Sequence, residues 1–175
     1  MLKKYLVIVL ALCCFSCKPK ADNTNTTLLY FDLADFFNKE AKRLTKLNPT
    51  VEKLVSVDGN IERKTLKIND WEKELTIFAN ADINKAAWRA SFDIKKLNNV
   101  THYYANDDKI PVKEISVEEL NNQPETIIMV IRDKNILYTS NDTLIYKPNI
   151  SYQIKKQQKI KFLDLKRYEI LGVFK

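Results

Sequence analysis

The second half of the chain alternates short β-prone runs with clusters of turn residues. Valine, isoleucine, threonine and aromatic residues fill the runs, and Asn, Asp, Ser and Pro fill the clusters. A spacing of about ten residues between such runs is typical of antiparallel strands joined by tight turns. The runs predict strands at 88–94, 101–105, 112–120, 126–132, 136–139, 143–146, 150–161 and 168–174, with turns at 98–99, 106–109, 121–124, 133–135, 140–142 and 148–149.

An Asp-Gly pair indicates one more hairpin, nearer the N-terminus. Valines alternate with polar residues before Asp58-Gly59, and a second β-prone run follows the pair. Asp-Gly favours the two-residue turn in which both central residues have positive φ. We therefore predict two paired strands, 50–57 and 60–67.

Two segments show helical spacing instead. Apolar residues recur at intervals of three and four over 27–47, which predicts an amphipathic helix that ends before Asn48-Pro49. A second helix is predicted from Asn69, where Glu72 completes a capping box, to about Asn84. Each helix needs an apolar partner, and a sheet of about seven strands offers one apolar face. The predicted fold class is α+β, with two amphipathic helices packed on a curved antiparallel β-sheet, a meander that stays open or forms a half-barrel.

The N-terminal segment is typical of an export signal. Two lysines precede an apolar run from Tyr5 to Phe15, which is shorter than the roughly 20 residues of a spanning helix. The run ends at Ser16-Cys17, and a small residue directly before a cysteine resembles the lipobox of bacterial lipoproteins. We therefore predict a signal peptide at 1–16, lipidation of Cys17, a polar tether over 17–26 and one domain over 27–175.

The residue after Cys17 bears on location. In enteric bacteria an aspartate at this position retains lipoproteins at the inner membrane, whereas this chain has Lys18. The expected location is the outer membrane, through the lipid anchor on Cys17. The residues that follow lack the acidic cluster of surface-exported lipoproteins, so the periplasmic face is favoured over the cell surface.

Composition excludes several kinds of site. The only glycines are Gly59 and Gly172, so a glycine-rich phosphate or dinucleotide loop is excluded. His102 is the only histidine, and residues 18–175 contain no cysteine. We expect no catalytic residue, metal site or cofactor, and a domain that is stable without disulfides. The net charge of +7 comes without a recognisable nucleic-acid-binding motif, so nucleic acid is not an expected partner.

Four aromatic residues are candidates to face a ligand: Trp71, Trp88, Tyr103 and Tyr104. Rings of this kind could line a sugar or lipid pocket. A tryptophan on the apolar face of a helix is, however, more often part of the core. Both interpretations remain open at this point.

Short sequences elsewhere resemble those of a known group. The stretches 70–75, 81–85 and 87–89, together with 137–140, 152–154 and 158–160, look like a pattern found in small uncharacterised outer-membrane lipoproteins of Bacteroidota. The resemblance covers most of residues 28–174. It implies an outer-membrane lipoprotein with an α+β domain, and it implies no activity.

Three functional hypotheses follow. The first is a non-enzymatic, membrane-anchored envelope lipoprotein that binds an apolar ligand, such as a lipid, or a partner protein between helices and sheet. The second is a structural or assembly accessory of an outer-membrane complex that uses an exposed strand edge. The third is a hydrolase of envelope polymers, which would need two carboxylates facing each other across a cleft.

Overall fold

The computed structural model describes residues 28–175, so the predicted signal, Cys17 and the tether lie outside the described residues. Two α-helices, α1 (Leu33–Leu47) and α2 (Trp71–Ala79), accompany one antiparallel sheet. Neither of them, nor any other helix in the described part, is long and apolar enough to cross a membrane. The strands are β1 (Thr50–Val57), β2 (Asn60–Lys67), β3 (Phe92–Leu97), β4 (Val100–Ala105), β5 (Val112–Leu120), β6 (Gln123–Lys134), β7 (Tyr138–Lys147), β8 (Ser151–Ile160) and β9 (Lys166–Phe174).

The sheet has the order β2-β1-β9-β8-β7-β6-β5-β4-β3. From β3 to β9 each strand pairs with the next in the chain, as in a meander. The N-terminal hairpin β1–β2 joins the other side of β9. The sheet is therefore open, with β2 and β3 as its edges, and the α+β fold class is confirmed.

The hairpin at Asp58-Gly59 forms as predicted, with the predicted strand boundaries. Both turn residues have positive φ, 50° at Asp58 and 91° at Gly59. This is the geometry that a two-residue turn requires to match the twist of the strands on either side.

Both helices begin later than predicted, because aspartates cap them. The Asp32 carboxylate accepts a hydrogen bond from Asp35 N–H at 2.9 Å, so α1 begins at Leu33 rather than at residue 27. The Asp70 carboxylate does the same for Lys73 N–H, so Asp70 rather than Asn69 is the cap of α2. The second helix also ends earlier than predicted, at Ala79.

The strand predictions were wrong in several places. Ile136 and Leu137, predicted as the start of a strand, lie in the loop between β6 and β7, and β6 includes residues 123–124 and 133–134, which were predicted as turns. Residues 140–142 are not a turn: they lie inside β7, which is one strand instead of two. The Ser140 hydroxyl donates to the Asp142 carboxylate at 2.5 Å within the strand, so these polar residues bind each other rather than reversing the chain. Trp88 lies in a 3-10 turn (Ala86–Trp88) and not in a strand, and the sheet has nine strands rather than about seven.

The core lies between the helices and one face of the sheet. Tyr146 of β7 and Tyr152 of β8 are cross-strand partners on that face, and both are fully buried. Phe37 of α1 packs edge-on against Tyr146, with 5.1 Å between ring centroids, and Trp71 of α2 packs edge-on against Tyr152 at 6.4 Å. Phe78 of α2 contacts both tyrosines. Ring-to-ring packing of this kind fills the space under the helices.

Candidate functional site

An open groove of about 460 Å³ lies where α2 meets the face of the sheet. Its apolar lining comes from four places in the chain: the end of β2 with the residue after it, α2, β8 and β9. This is a size that can hold a small apolar molecule or part of a lipid chain. The apolar residues of the lining are Leu66, Ile68, Ile77, Ile154 and Ile170.

Lysines surround this apolar lining. Lys53, Lys67 and Lys73 line the groove together with two carboxylates, Asp70 and Glu74. Both carboxylates are engaged, because Asp70 caps α2 and Glu74 binds Lys53. Within residues 28–175, Lys67 and Lys73 have no ion-pair partner. The groove therefore combines an apolar floor with lysines in its lining.

Two residues of the groove lining, Lys53 and Glu74, form a three-residue contact with Tyr152. Glu74 Oε1 lies 2.6 Å from Lys53 Nζ and accepts a hydrogen bond from the Tyr152 hydroxyl, also at 2.6 Å. Burial, and then the neighbouring Glu74 carboxylate, raise the pKa of Tyr152 far above the usual value. Tyr152 therefore stays neutral and donates this hydrogen bond, which fixes the Glu74 carboxylate against the sheet.

A matching contact lies under α1. The Tyr146 hydroxyl donates to Glu40 Oε1 at 2.6 Å, and Arg43 binds both oxygens of the same carboxylate at 2.7 Å. Burial opposes ionisation of Glu40, but the hydrogen bonds from Arg43 and Tyr146 outweigh it and hold the pKa of Glu40 below its ordinary value. Each helix thus supplies one glutamate to one tyrosine of the cross-strand pair.

These two contacts were not predicted from the sequence. Glu40 and Glu74 belong to helices and Tyr146 and Tyr152 to distant strands, so no local pattern relates them. The register of β7 with β8 is what places the tyrosines side by side. A glutamate within the buried stripe of α1 is the one signal that could have pointed to a buried partner.

His102 lies on the opposite face of the sheet from the helices, as part of a small polar cluster. Its Nδ1 is 3.2 Å from Glu114 Oε1 and 3.0 Å from the Ser116 hydroxyl. The sequence analysis did not foresee this cluster, which arises from the pairing of His102 with Ser116 across β4 and β5. A serine nucleophile and its orienting carboxylate bind opposite nitrogens of a catalytic histidine, whereas here both contacts fall on one nitrogen. The arrangement does not match nucleophilic catalysis.

The four candidate aromatic residues are not brought together. Trp71, the first residue of α2, is 1% exposed and belongs to the core, and Tyr103 is buried beside Tyr30. Tyr104 points to the other face of the sheet and stacks on His102 with 5.6 Å between ring centroids. Trp88 is half-buried, with the Lys85 ammonium 4.4 Å from its ring centroid. None of the four lines the groove beside α2.

No group of three or more His, Cys, Asp or Glu side chains that could hold a metal ion occurs within residues 28–175. The geometric candidate for a binding site is therefore the groove. Comparison of the chain with protein-family models, with curated protein sequences and with solved structures found no match in any of the three.

Proposed function

We propose that this chain is a lipid-anchored, non-enzymatic envelope protein that binds an apolar ligand with an anionic end in the groove beside α2. The observation that carries the proposal is the groove itself, with five aliphatic side chains on its floor and three lysines around it. A fatty acid, or a lipid with an acidic head group, has the matching chemistry. In this proposal the sheet curves around the two amphipathic helices, so that the face of the sheet and α2 form the two walls of the groove.

The charge at the groove supports an anionic end in particular. Lys53 is already bound to Glu74, so it helps to fix the inner wall. Lys67 and Lys73 are both exposed and lie on separate elements, one at the end of β2 and one in α2. A carboxylate or phosphate beside Lys73 would gain an ionic contact while the attached chain covered the aliphatic floor.

A strand edge is less suited to bind a partner protein. The edge strand β2 carries four charged residues, Glu62, Arg63, Lys64 and Lys67, and nearly all of it is exposed. Charged side chains on an edge strand oppose the addition of another strand. The assembly-accessory hypothesis therefore has weaker support than the groove.

Binding can be tested by titrating the full chain with palmitate and following its melting temperature. A ligand that binds only the folded state raises the melting temperature by mass action. We expect a rise that is reduced when the groove is changed by Ile77→Asn or Lys73→Glu. The matched control is Lys42→Glu, which reverses an exposed charge on α1 away from the groove and should keep the full effect.

The proposal is wrong if palmitate leaves the melting temperature unchanged, or if the groove variants respond as strongly as the control. Lipids extracted from the purified protein provide an independent measurement. An acidic lipid should co-purify with the unchanged chain and be depleted from Lys73→Glu.

The anchor is tested separately. The order of charged residues, apolar run and Ser16-Cys17 predicts lipidation, so Cys17→Ala should release the protein from membranes or leave the signal uncut. Normal cleavage with unchanged membrane fractionation would contradict the anchor while leaving the ligand proposal untouched.

A further inference from the structure

The two most exposed large apolar side chains of residues 28–175, Phe162 and Ile136, lie in two loops at the same end of the sheet. Ile136 and Leu137 in the β6–β7 loop are 87% and 67% exposed, and Phe162 and Leu163 in the β8–β9 loop are 92% and 58% exposed. Leu165 is also exposed. We call these five residues the apolar tip. Contiguous exposed apolar surface of this kind marks a binding surface more often than chance placement does.

The two loops form one surface. The Lys161 N–H donates to the Leu137 carbonyl at 2.8 Å, just beyond the last pair of β7 and β8, Tyr138 with Ile160. The tip is therefore a joint feature of two adjacent hairpins. Ile160, at the end of β8, adds a further exposed side chain beside it.

The loop that carries Phe162 is held firmly at its base. The Asp58 carboxylate, in the turn between β1 and β2, accepts hydrogen bonds from Lys166 Nζ and Arg167 N–H, each at 2.8 Å. The hydrogen bonds from Lys166 and Arg167 lower the pKa of Asp58 below its ordinary value. The β1–β2 hairpin thus stabilises the β8–β9 loop.

Phe162 has a backbone conformation that a bulky residue rarely adopts. Its φ is +67°, in the left-handed region, which costs energy for any residue with a Cβ. The ring nevertheless projects almost fully into solvent. Neither the strained backbone nor the exposed ring of Phe162 stabilises the isolated domain. A side chain positioned to contact a second surface would have these two properties.

The surroundings of the tip are strongly basic. Residues 132–138 and 158–168 contain six basic residues and two acids. One of those acids, Asp133, is bound by the Tyr138 hydroxyl, and the Lys161 ammonium lies 5.2 Å from the Phe162 ring centroid. The basic residues are all exposed: Arg132, Lys134, Lys159, Lys161, Lys166 and Arg167.

We propose that the apolar tip inserts into the interface of an anionic lipid bilayer, with the surrounding lysines and arginines on the lipid head groups. Aliphatic and aromatic side chains that penetrate the interface gain the free energy of leaving water, and each nearby basic residue adds about 1 kcal/mol on an anionic surface. The combination of apolar centre and basic rim fits a negatively charged bilayer better than it fits a protein, whose interfaces are depleted in lysine.

The point where the described chain begins agrees with this orientation. Tyr30 packs against Phe92 with 5.5 Å between ring centroids, and its hydroxyl accepts a hydrogen bond from the Phe92 N–H. Phe92 is the first residue of β3, at the end of the sheet that also carries the β6–β7 and β8–β9 loops. The described part of the chain therefore begins at the same end of the sheet as the tip. None of the groove residues enters this inference, so either proposal can fail alone.

The experiment places a fluorophore on each end of the sheet in the full chain. Cys13, Cys14 and Cys17 are replaced by serine, and a single environment-sensitive label is attached through Ile136→Cys at the tip or Leu120→Cys at the opposite end. Leu120 is the matched control because it is also an exposed loop-end leucine, at 56%. Vesicles of phosphatidylglycerol and of phosphatidylcholine are added in turn.

We expect the tip label to shift to shorter wavelength and brighten on phosphatidylglycerol vesicles, while the label at position 120 stays aqueous. Phe162→Ser should weaken the shift. Each of Lys134→Gln, Lys159→Gln and Lys161→Gln should reduce partition to these vesicles about fivefold. Lys147→Gln removes an exposed lysine from the other end of β7 and should change nothing.

The inference is overturned if both labels respond alike, or if the tip label stays aqueous on vesicles with which the chain sediments. An equal shift on phosphatidylcholine would overturn the role of the basic rim. Circular dichroism of each variant shows whether it is folded. The comparison between the two label positions requires no substitution of the surrounding basic residues.

Discussion

The two ends of strand β8 differ in how far their apolar side chains are exposed. Tyr152, the second residue of strand β8, is fully buried beneath the helices, whereas Ile160, its last residue, is exposed beside the apolar tip. On the face that carries Tyr152 and Ile154, the next positions are Lys156 and Gln158, so the run of apolar residues is interrupted before Ile160. Trp71 and Phe78 of α2 pack on the Tyr152 ring at the first end. Apolar residues here therefore serve two purposes, packing against the helices and forming an exposed surface in the β6–β7 and β8–β9 loops.

The largest expected effect on stability comes from a substitution in the core between the helices and the sheet. Trp71→Ala should lower the free energy of unfolding by about 3–5 kcal/mol, since it leaves a cavity between α2 and the Tyr152 and Phe174 rings. Trp71→Phe should cost less, because the buried Trp71 Nε1 has no hydrogen-bond partner among the described residues to lose. Urea unfolding of both variants checks this. A Trp71→Ala variant as stable as the parent would place Trp71 outside the core.

The next largest effect concerns close packing over a glycine. A Cβ at Gly172 would lie 2.2 Å from Tyr152 Cε1, and that ring is buried and bound to Glu74, so it cannot move aside. Gly172→Ala should cost about 1–3 kcal/mol. Gly59→Ala meets no neighbouring atom within 4 Å and should cost only about 1 kcal/mol, through its positive φ.

A double variant sharpens this comparison. Combined with Tyr152→Leu, Gly172→Ala should cost less than the sum of the two single changes, because the clash is with the Tyr152 ring. Strict additivity in urea melts would show that the strain at Gly172 has another source.

The buried carboxylate under α1 predicts a pH dependence. The folded state lowers the pKa of Glu40, so its stabilisation is fully present above the ordinary glutamate pKa of about 4.3 and is lost as the pH falls through the lowered folded value. Glu40→Gln should therefore be less stable than the parent by about 1–2 kcal/mol at pH 7. The difference should shrink in melts below about pH 4. A gap that stays constant across this range would contradict the assignment.

The smallest effect is expected at the uncovered end. Phe162→Gly removes an exposed ring from a left-handed position that glycine adopts without strain, so stability should change by no more than about 0.5 kcal/mol. The measurement is a thermal melt beside that of Trp71→Ala. A loss of several kcal/mol would mean that Phe162 packs against the domain and that the two ends are not so different.

Local features of the fold could be predicted well from the sequence. The Asp58-Gly59 hairpin has its predicted boundaries because a two-residue turn depends only on the residues within it. The β7 strand was divided in error, because Ser140 and Asp142 are common turn residues. Their mutual hydrogen bond and the pairing of Asp142 beside Lys156 of β8 are tertiary facts that no local pattern contains.

The candidate site was less predictable than the fold. The groove joins Lys53, Ile77, Ile154 and Ile170, which come from four separate elements and meet only through the strand order. Ile136 of the tip was visible as an apolar residue next to a turn cluster. It was assigned to a strand because the alternation of apolar and polar residues predicts that such an apolar residue faces the interior. Whether a helix covers that end of the sheet cannot be learned from this alternation.

The placement of β9 between β1 and β8 has a consequence for how the chain acquires its structure. The pairing of Val51 with Phe174 closes a loop of more than a hundred residues, whereas the other strand pairs join neighbours in the chain. Hairpins can form early and quickly, but closing a loop of this length is entropically costly and slow. The β1–β2 hairpin can join the sheet only after β9 has been synthesised, so the complete domain assembles late.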